Sequence, residues 1–175
     1  VILQLRLHPT IRKLSGEMMQ GGKDRKQDVD LTYITSRGRW YHHSWKGDVQ
    51  KSGGVATNIG IHFFDMLLLL FGDVQLLEVH HQDEETVAGF LELERARVRW
   101  FLSVSERYIP SAKVAEGQRT YRSILLGNQE LEFSGGFTDL HTLSYQEILN
   151  DRGFTPADAR RSIELVYNIR NASPS

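Results

Sequence analysis

The sequence predicts an α+β fold in which residues 1–175 form one domain: a largely antiparallel open sheet of about seven strands, with helices packed on one face. Three observations support this prediction. Short runs with tight connections in residues 74–105 indicate hairpins. Apolar residues recur at helical spacing before and after them. No predicted strand is followed by the Gly-x-Gly-x-x-Gly turn that binds dinucleotides, so a Rossmann domain is absent from the chain.

In the first third of the chain, the sequence predicts a strand, a helix, a second strand and an irregular segment. Residues 1–7 alternate apolar and polar side chains, and a helix entered at Pro9 ends at Gly21-Gly22. Residues 28–37 alternate again, which places Val29, Leu31, Tyr33 and Thr35 on one face and Ile34 on the other. Residues 38–52 combine aromatic rings, cations and glycines without clean periodicity, which is typical of a functional loop. We name this stretch the aromatic segment and expect it to be mobile.

The rest of the chain predicts one apolar helix, a set of strands and two closing helices. The apolar helix opens at Gly53-Gly54 and ends at Phe71, with Gly72 as C-cap. The strands are predicted near 74–82, 86–94, 96–105, 120–126 and 130–133, with a loop over 108–118. The closing helices cover about 142–150 and 156–170, the second capped by Thr155. Because the chain starts within a predicted strand without an initiator Met, we expect it to be part of a longer polypeptide.

Composition restricts the class of protein. Apolar residues make up 40% and charged residues 25%, as in ordinary soluble domains. A formal net charge of −1 gives no global field that would recruit nucleic acid or an anionic membrane. The absence of cysteine excludes disulfides, zinc–thiolate sites and cysteine nucleophiles, and it fits the cytoplasm. The apolar run at residues 66–71 is too short to span a membrane and is predicted to be core.

A polar stripe on the apolar helix is the first candidate site. Asn58 and His62 stand at i and i+4 and share a face, with Gly54 one turn earlier. Ile59, Phe63, Met66 and Leu70 point to the core. A histidine there can transfer a proton at neutral pH, and the amide can orient it or bind a hydroxyl. The alternative is a structural histidine satisfied by a backbone carbonyl.

The aromatic segment and its neighbours supply candidate binding residues. Trp40, Tyr41 and Trp45 offer flat faces for a sugar ring or a base. Phosphate or carboxylate could be bound by Arg37, Arg39, Lys46 and Lys51. The alternative is a rigid aromatic cap with solvated cations. The pairs His42-His43 and His80-His81 do not predict a metal site, because adjacent side chains point in different directions.

Residues 51–65, Lys-Ser-Gly-Gly-Val-Ala-Thr-Asn-Ile-Gly-Ile-His-Phe-Phe-Asp, resemble the signature helix of the glucose–fructose oxidoreductase/inositol dehydrogenase family. Residues 1–7, 86–105 and 136–145 are similar to other parts of that family's C-terminal domain, so the resemblance covers nearly the whole chain. Residues 37–48 and Asn58 resemble the branch that oxidises the 3-hydroxyl of UDP-N-acetylglucosaminuronate with NAD, for bacterial surface polysaccharides.

The resemblance implies a role for several residues. His62 matches the family's active-site histidine, and Asn58 matches a position that is aspartate in many members. An amide cannot act as a base, but it can bind substrate. The family's catalytic lysine, in a Glu-Lys-Pro motif, and most NAD contacts belong to a Rossmann domain, so the resemblance implies an inactive fragment. It also implies a homodimer or homotetramer formed through the sheet.

Two other functions remain open at this point. The chain could belong to a dehydrogenase of the same family that acts on inositol or a free sugar. It could instead be a binding or assembly module without catalytic activity.

Overall fold

A computed structural model describes residues 3–20, 26–131 and 139–175. Its sheet has six strands in the order β2-β3-β4-β1-β5-β6. The strands are β1 (Gln27–Thr35), β2 (Val74–Gln82), β3 (Thr86–Leu93), β4 (Ala96–Ser103), β5 (Thr120–Leu126) and β6 (Gln129–Glu130). Only the β1–β4 pair is parallel within the described ranges, and the other neighbours are antiparallel. The predicted fold class is therefore confirmed, with six strands instead of about seven.

The missing strand is the one predicted for residues 1–7, and that prediction was wrong. Gln4–Leu7 forms a short 3-10 helix. Leu3, Leu5 and Leu7 are all buried, which produced the alternating pattern, but the segment packs among helices and not beside a strand. Its amides bond locally, as when His8 N donates to the Leu5 carbonyl at 3.1 Å. The leucines are buried because helices surround the turn on several sides. Their alternating spacing therefore does not come from a β-strand.

The helices are α1 (Pro9–Gln20), α2 (Arg39–His43), α3 (Val49–Ser52), α4 (Ile61–Phe71), α5 (Ser111–Ala115), α6 (Leu140–Leu149) and α7 (Pro156–Asn171). The predicted helices near 9–20, 142–150 and 156–170 are confirmed, and Thr155 caps α7 through a reciprocal capping box. The aromatic segment, predicted to be irregular, contains α2 and α3, and the predicted loop over 108–118 contains α5. The predicted helix end at Gly21-Gly22 lies outside the described residues, as do positions 132 and 133 of the strand predicted near 130–133.

One face of the sheet carries the core. Along β4 the even-numbered residues from Ala96 to Leu102 are buried, whereas Arg97 and Arg99 are exposed. The same alternation in β1 buries Val29 and Leu31, as predicted. The opposite face carries ion pairs such as that between Arg99 and Asp30. The longer helices therefore cover one side of the sheet. The 3-10 helix Glu106–Tyr108 covers part of the other side, where Tyr108 meets Phe101 edge-on at 5.0 Å and Ile34 is buried.

Helix α4 lies at the centre of this core. Phe64 is fully buried and meets Trp100 of β4 edge-on, with ring centroids 5.3 Å apart. Phe71 ends the helix against the core, and Gly72 caps it at φ 88°. Within the described residues, one helical stretch, Val49–Phe71, is apolar and long enough to cross a membrane. Because 72% of its most apolar window is buried in the fold, it has the character of a core helix.

An ion pair with a buried carboxylate links α4 to the start of the chain. Arg6 donates from Nε and Nη2 to the two carboxylate oxygens of Asp65, both at 2.8 Å. Arg6 also donates to the carbonyl of Asp158 at 2.9 Å, at the start of α7. The Asp65 side chain is only 3% exposed. One guanidinium therefore joins the 3-10 turn, α4 and α7.

Asp65→Asn should lower the free energy of unfolding by about 3 kcal/mol, because it leaves the Arg6 charge without its buried partner. Urea unfolding followed by tryptophan fluorescence measures this loss. The matched control is Glu147→Gln, which breaks a similar bidentate pair with the exposed Arg152 and should change stability little. Equal effects of the two substitutions would contradict the role given to Asp65.

Candidate functional site

A cavity of about 230 Å³ opens at the N-terminal end of α4, and we name it the His62 cavity. It brings together two residues predicted from the helix, Asn58 and His62, with Arg37 at the end of β1. Three polar residues that the sequence did not indicate also line it: Gln4, Tyr33 and Arg122. The remaining lining residues are Leu5, Ile59 and Phe63. No carboxylate is among the described lining residues, so the cavity favours an anionic or polar neutral ligand.

A π turn shapes the wall of this cavity. Residues Ala56–Gly60 form one wider helical turn that continues directly into α4. Such turns insert an extra residue and are frequent at functional sites. Gly60 allows the close approach to the sheet, because a Cβ there would lie 2.6 Å from Cε2 of Phe64 and 2.9 Å from Cδ1 of Leu102. Asn58 and His62 still share the cavity, as predicted, although the helix between them is not regular.

His62 is partly buried, and its surroundings favour the neutral imidazole. Burial lowers the pKa of His62, the Asp65 charge opposes this shift, and His141 adds to it. The buried Nδ1 atom has no hydrogen-bond partner among the described residues. This observation counts against the alternative of a structural histidine held by a backbone carbonyl. A neutral imidazole at a cavity wall can accept a proton from a bound hydroxyl.

Asn58 links the helix to the aromatic segment. Its Nδ2 donates to the backbone carbonyl of Lys46 at 3.1 Å. The Tyr41 ring is buried beneath the same segment, and burial raises the pKa of its phenol, while the adjacent Asn58 amide and the Arg37 charge oppose this shift. The structure therefore gives Asn58 a structural contact in addition to its place in the cavity wall.

None of the other predicted binding residues lines the His62 cavity, and all of them except Tyr41 lie on the outside of the aromatic segment. Trp45 is 58% exposed, with Lys46 Nζ placed 5.9 Å from the centre of its ring. Lys51 pairs with Asp48 at 3.0 Å, and Arg39 is exposed. Tyr41, which was predicted to stack on a sugar ring, is 2% exposed and offers no free face. Gly54, predicted to lie on the same side as Asn58, packs near Val49 and is not part of the cavity wall.

Among the lining residues that were not predicted, Arg122 is the one that the sequence pattern indicates most clearly. In β5 it shares a face with Ile124, which is buried against the helices. A cation that shares a strand face with Ile124 and Leu126 is unusual and could have been recognised from the alternation. Tyr33 stands directly opposite it in β1. Gln4 had no comparable signal, because its position depends on the 3-10 turn.

The histidines of the pairs His42-His43 and His80-His81 make separate contacts with individual carboxylates where they pair at all. His42 lies 3.1 Å from a carboxylate oxygen of Glu85, and His81 lies 2.9 Å from Asp83. Across residues 3–20, 26–131 and 139–175, no three histidines or carboxylates converge in a way that could hold a metal ion.

Comparison with known proteins agrees with this architecture. The oxidoreductase family profile for the C-terminal alpha/beta domain of the glucose–fructose oxidoreductase/inositol dehydrogenase class matches residues 22–114, more than half of the chain. The chain belongs to this family, which confirms the resemblance found in residues 51–65.

Two solved structures are especially similar. WlbA (WbpB) dehydrogenase from Thermus thermophilus in complex with NAD and UDP-GlcNAcA has 47% identity and a TM-score of 0.92, over 99% of this chain and 55% of that chain. The complex of the same dehydrogenase with NAD and alpha-ketoglutarate has 48% identity and a TM-score of 0.93, over 99% and 56%. WlbA from Bordetella pertussis, at 20% identity and a TM-score of 0.71 over 97% and 60%, shares the fold. This chain thus spans little more than half the length of the Thermus protein.

The close approach at Gly60 gives a stability test with an internal control. Gly60→Ala should lower the free energy of unfolding by about 1–3 kcal/mol, because the added methyl group overpacks against Phe64 and Leu102. Gly16→Ala, in α1 with no atom within 4 Å of the new Cβ, should raise it by about 0.5–1 kcal/mol. Thermal and urea unfolding measure both. A stabilising Gly60→Ala would show that the wall of the cavity is not tightly packed.

The lowered pKa of His62 predicts a stability loss in acid. Above the ordinary value of 6.5 both folded and unfolded chains hold the neutral ring, but below it the unfolded chain binds the proton more readily. Stability should therefore fall as the pH drops below about 6.5, and His62→Gln should make this fall shallower. His43→Gln, at an exposed position, serves as the control and should leave the slope unchanged. The free energy of unfolding of the wild type and of both variants, measured between pH 8 and pH 5, tests this prediction.

Proposed function

We propose that residues 1–175 form the substrate-binding and oligomerisation domain of an NAD-dependent dehydrogenase that oxidises the 3-hydroxyl of UDP-N-acetylglucosaminuronate. The observation that supports this proposal most directly is the His62 cavity. Burial favours the neutral imidazole of His62, and two arginines line the same cavity. The similarity to a dehydrogenase solved with NAD and UDP-GlcNAcA, at 47% identity, supports the same substrate. Synthesis of surface-polysaccharide sugars in the cytoplasm is the setting we propose.

His62 is the proton acceptor in this proposal. Removal of hydride from a carbinol carbon requires that the hydroxyl lose its proton, and a neutral imidazole at the cavity wall can receive it. Burial keeps the ring in its accepting form at neutral pH. Asn58 holds the hydroxyl or an adjacent sugar substituent by hydrogen bonds and, through the Lys46 carbonyl, keeps the aromatic segment against the helix. We propose that His62 shares proton handling with a lysine outside this chain.

NAD, when bound, supplies the acceptor for the hydride. The described residues offer an open cavity wall beside His62, but the sequence has no Gly-x-Gly-x-x-Gly turn for the cofactor's phosphates. We therefore propose that most NAD contacts are made by another part of the full-length protein, and that this chain alone does not turn over substrate.

The exposed cations and rings of the aromatic segment suit the nucleotide end of the substrate. Trp45 can stack on uracil, and Arg39, Lys46 and Lys51 can approach the diphosphate from outside. A cavity of about 230 Å³ fits one sugar group and not a whole sugar nucleotide, so the nucleotide must extend beyond it. Arg37 lines the cavity and is itself exposed, which places it between these two regions. The buried Tyr41 supports the segment from beneath.

The open face of the sheet is our proposed contact between subunits. The longer described helices leave most of it uncovered, and it combines Phe90 with the Arg99–Asp30 pair, while Tyr108 packs on Phe101 at one end. A self-complementary mixture of apolar and paired charged residues suits a symmetric contact in a homodimer or homotetramer.

His62→Ala in the full-length protein should lower kcat for NADH formation from UDP-N-acetylglucosaminuronate by about 10²–10⁴-fold, because the hydroxyl loses its proton acceptor. Its KM should change much less. The matched control, His81→Ala, replaces an exposed histidine outside the cavity and the aromatic segment and should keep the wild-type rate. A His62→Ala enzyme with a wild-type rate would overturn the role of His62.

Substrate class is tested separately by calorimetry with the sugar nucleotide, UDP alone and free glucuronate. Binding that requires both halves of the ligand supports the proposed substrate. Turnover of inositol or a free sugar would assign the chain to another dehydrogenase of the family. No turnover of any polyol would support an assembly module.

A further inference from the structure

We propose that Gln4 is a positioning residue whose amide oxygen accepts a hydrogen bond from Nδ1–H of His62, so that Nε2 is left free to accept the proton of the substrate. This inference rests on the proposed function and assigns one residue to the orientation of its proton acceptor. It starts from two atoms, Oε1 of Gln4 and Nδ1 of His62. Both are buried, and neither has a hydrogen-bond partner among the described residues.

The two side chains belong to elements that are held together. Gln4 opens the 3-10 turn, which packs on α4, and both Gln4 and His62 line the His62 cavity. Two residues after Gln4, Arg6 binds the carboxylate of Asp65, which stands three residues after His62. The turn is therefore fixed beside the part of α4 that carries the histidine.

Neither of the two atoms is open to solvent or to a ligand in the cavity, because both are buried. A buried polar atom without a hydrogen bond is costly. The last torsion of a glutamine side chain is soft, so its amide can turn at little cost. We therefore expect the Gln4 amide to turn its oxygen onto Nδ1 of His62, which satisfies both atoms at once.

The other polar groups near the ring are engaged elsewhere or cannot accept a proton. Both oxygens of Asp65 are bound by Arg6, and the Asn58 amide donates to a backbone carbonyl. His141 on α6 acts on the ring through its charge. The two arginines of the cavity wall carry donors only. Among the described lining residues, Gln4 supplies the buried acceptor that lacks a partner.

The chemistry of the imidazole explains why this partner matters. A neutral ring carries one proton, and the hydrogen bond made by one nitrogen determines whether the other is protonated. Because Nδ1 is buried, Nε2 is the nitrogen that has to meet the substrate. With the proton held on Nδ1, the lone pair of Nε2 accepts the proton of the sugar hydroxyl as hydride leaves the same carbon. The resulting imidazolium keeps its bond to the amide oxygen, so Gln4 suits the ring before and after proton transfer.

A direct contact between Gln4 and the substrate makes a different prediction. Loss of a binding contact raises KM and leaves kcat unchanged, whereas loss of a positioning residue lowers kcat and leaves KM nearly unchanged. A contact with substrate also leaves the protonated nitrogen of the free enzyme as it was. The two roles of Gln4 are therefore separable by kinetics and by spectroscopy.

The experiment uses the full-length protein in two measurements. Steady-state formation of NADH from UDP-N-acetylglucosaminuronate gives kcat and KM, and NMR of the histidine ring nitrogens shows which nitrogen of His62 is protonated, with His62→Gln to assign the signal. We expect the wild type to carry the proton on Nδ1. Gln4→Met removes the acceptor at similar length and should move the proton to Nε2. It should lower kcat by about 10- to 100-fold, the range for partners that orient metal-bound histidines, and change KM less than about twofold.

Gln4→Glu is the conservative variant, because it keeps an oxygen acceptor at the same distance along the side chain. It should keep the proton on Nδ1 and retain more of kcat than Gln4→Met does. Its negative charge stabilises the imidazolium, so it should raise the pKa of His62 and move the acid limb of the kcat profile to higher pH. The other charged or titratable groups around the ring are the same in every variant: Arg37, Asp65, Arg122 and His141.

Gln82→Met is the matched control, because Gln82 is exposed and lies outside the cavity. It should change neither the kinetics nor the protonated nitrogen. A wild type with its proton on Nε2, a Gln4→Met enzyme with wild-type kcat, or one in which only KM rises would each overturn the inference. The NMR measurement needs no turnover and so tests Gln4 independently of the substrate. A wild-type protein that forms no NADH from the sugar nucleotide would overturn the proposed function itself.

Discussion

The ion pair between Arg6 and Asp65 sets the geometry on which the candidate site depends. Asp65 stands three residues after His62 on α4, and both of its oxygens are held by one guanidinium that also contacts α7. The two bonds between the charges and the third bond of Arg6 to the Asp158 carbonyl offset the cost of removing this pair from water. The same charge opposes the effect of burial on the pKa of His62. The ion pair thus contributes to the position of the histidine and partly offsets the effect of burial on its pKa.

Much of the fold could be predicted because its elements repeat their periods clearly. Strands β3 and β4 alternate between more and less buried residues over most of their eight residues, which makes them recognisable from the sequence. Strand β2 is mostly exposed and was recognisable by its length and by the turns that flank it. The 3-10 turn at Gln4–Leu7 could not be recognised in this way. Its leucines face α4 and α6, elements far along the chain, so their spacing reflects what surrounds the turn. The helices α2 and α3 were missed because segments of four or five residues carry too little periodicity.

The candidate site was predictable where its residues share one helix. Asn58 and His62 are close in sequence, and a turn of the helix brings them together. Arg122 enters the same cavity from β5, whose register is set by pairing with β1, more than eighty residues earlier. Alternation within β5 marks Arg122 as an unusual residue, but it does not reveal this pairing. The cations of the aromatic segment show the opposite case. Their composition suggested a binding site, but the backbone turns several of them outward, away from His62.

The pairing of β1 has a consequence for the order in which the domain forms. Its partners are β4, in parallel, and β5, so the central strand is completed only by residues that follow it by more than sixty positions. Such distant contacts require closure of long loops and are therefore slow to form. The hairpins β2–β3 and β3–β4 are local and can form first. During synthesis on a ribosome, β1 can pair with its two neighbours only after β4 and β5 have been made. The part of the cavity wall that contains Arg122 therefore packs near α4 only after β5 has emerged.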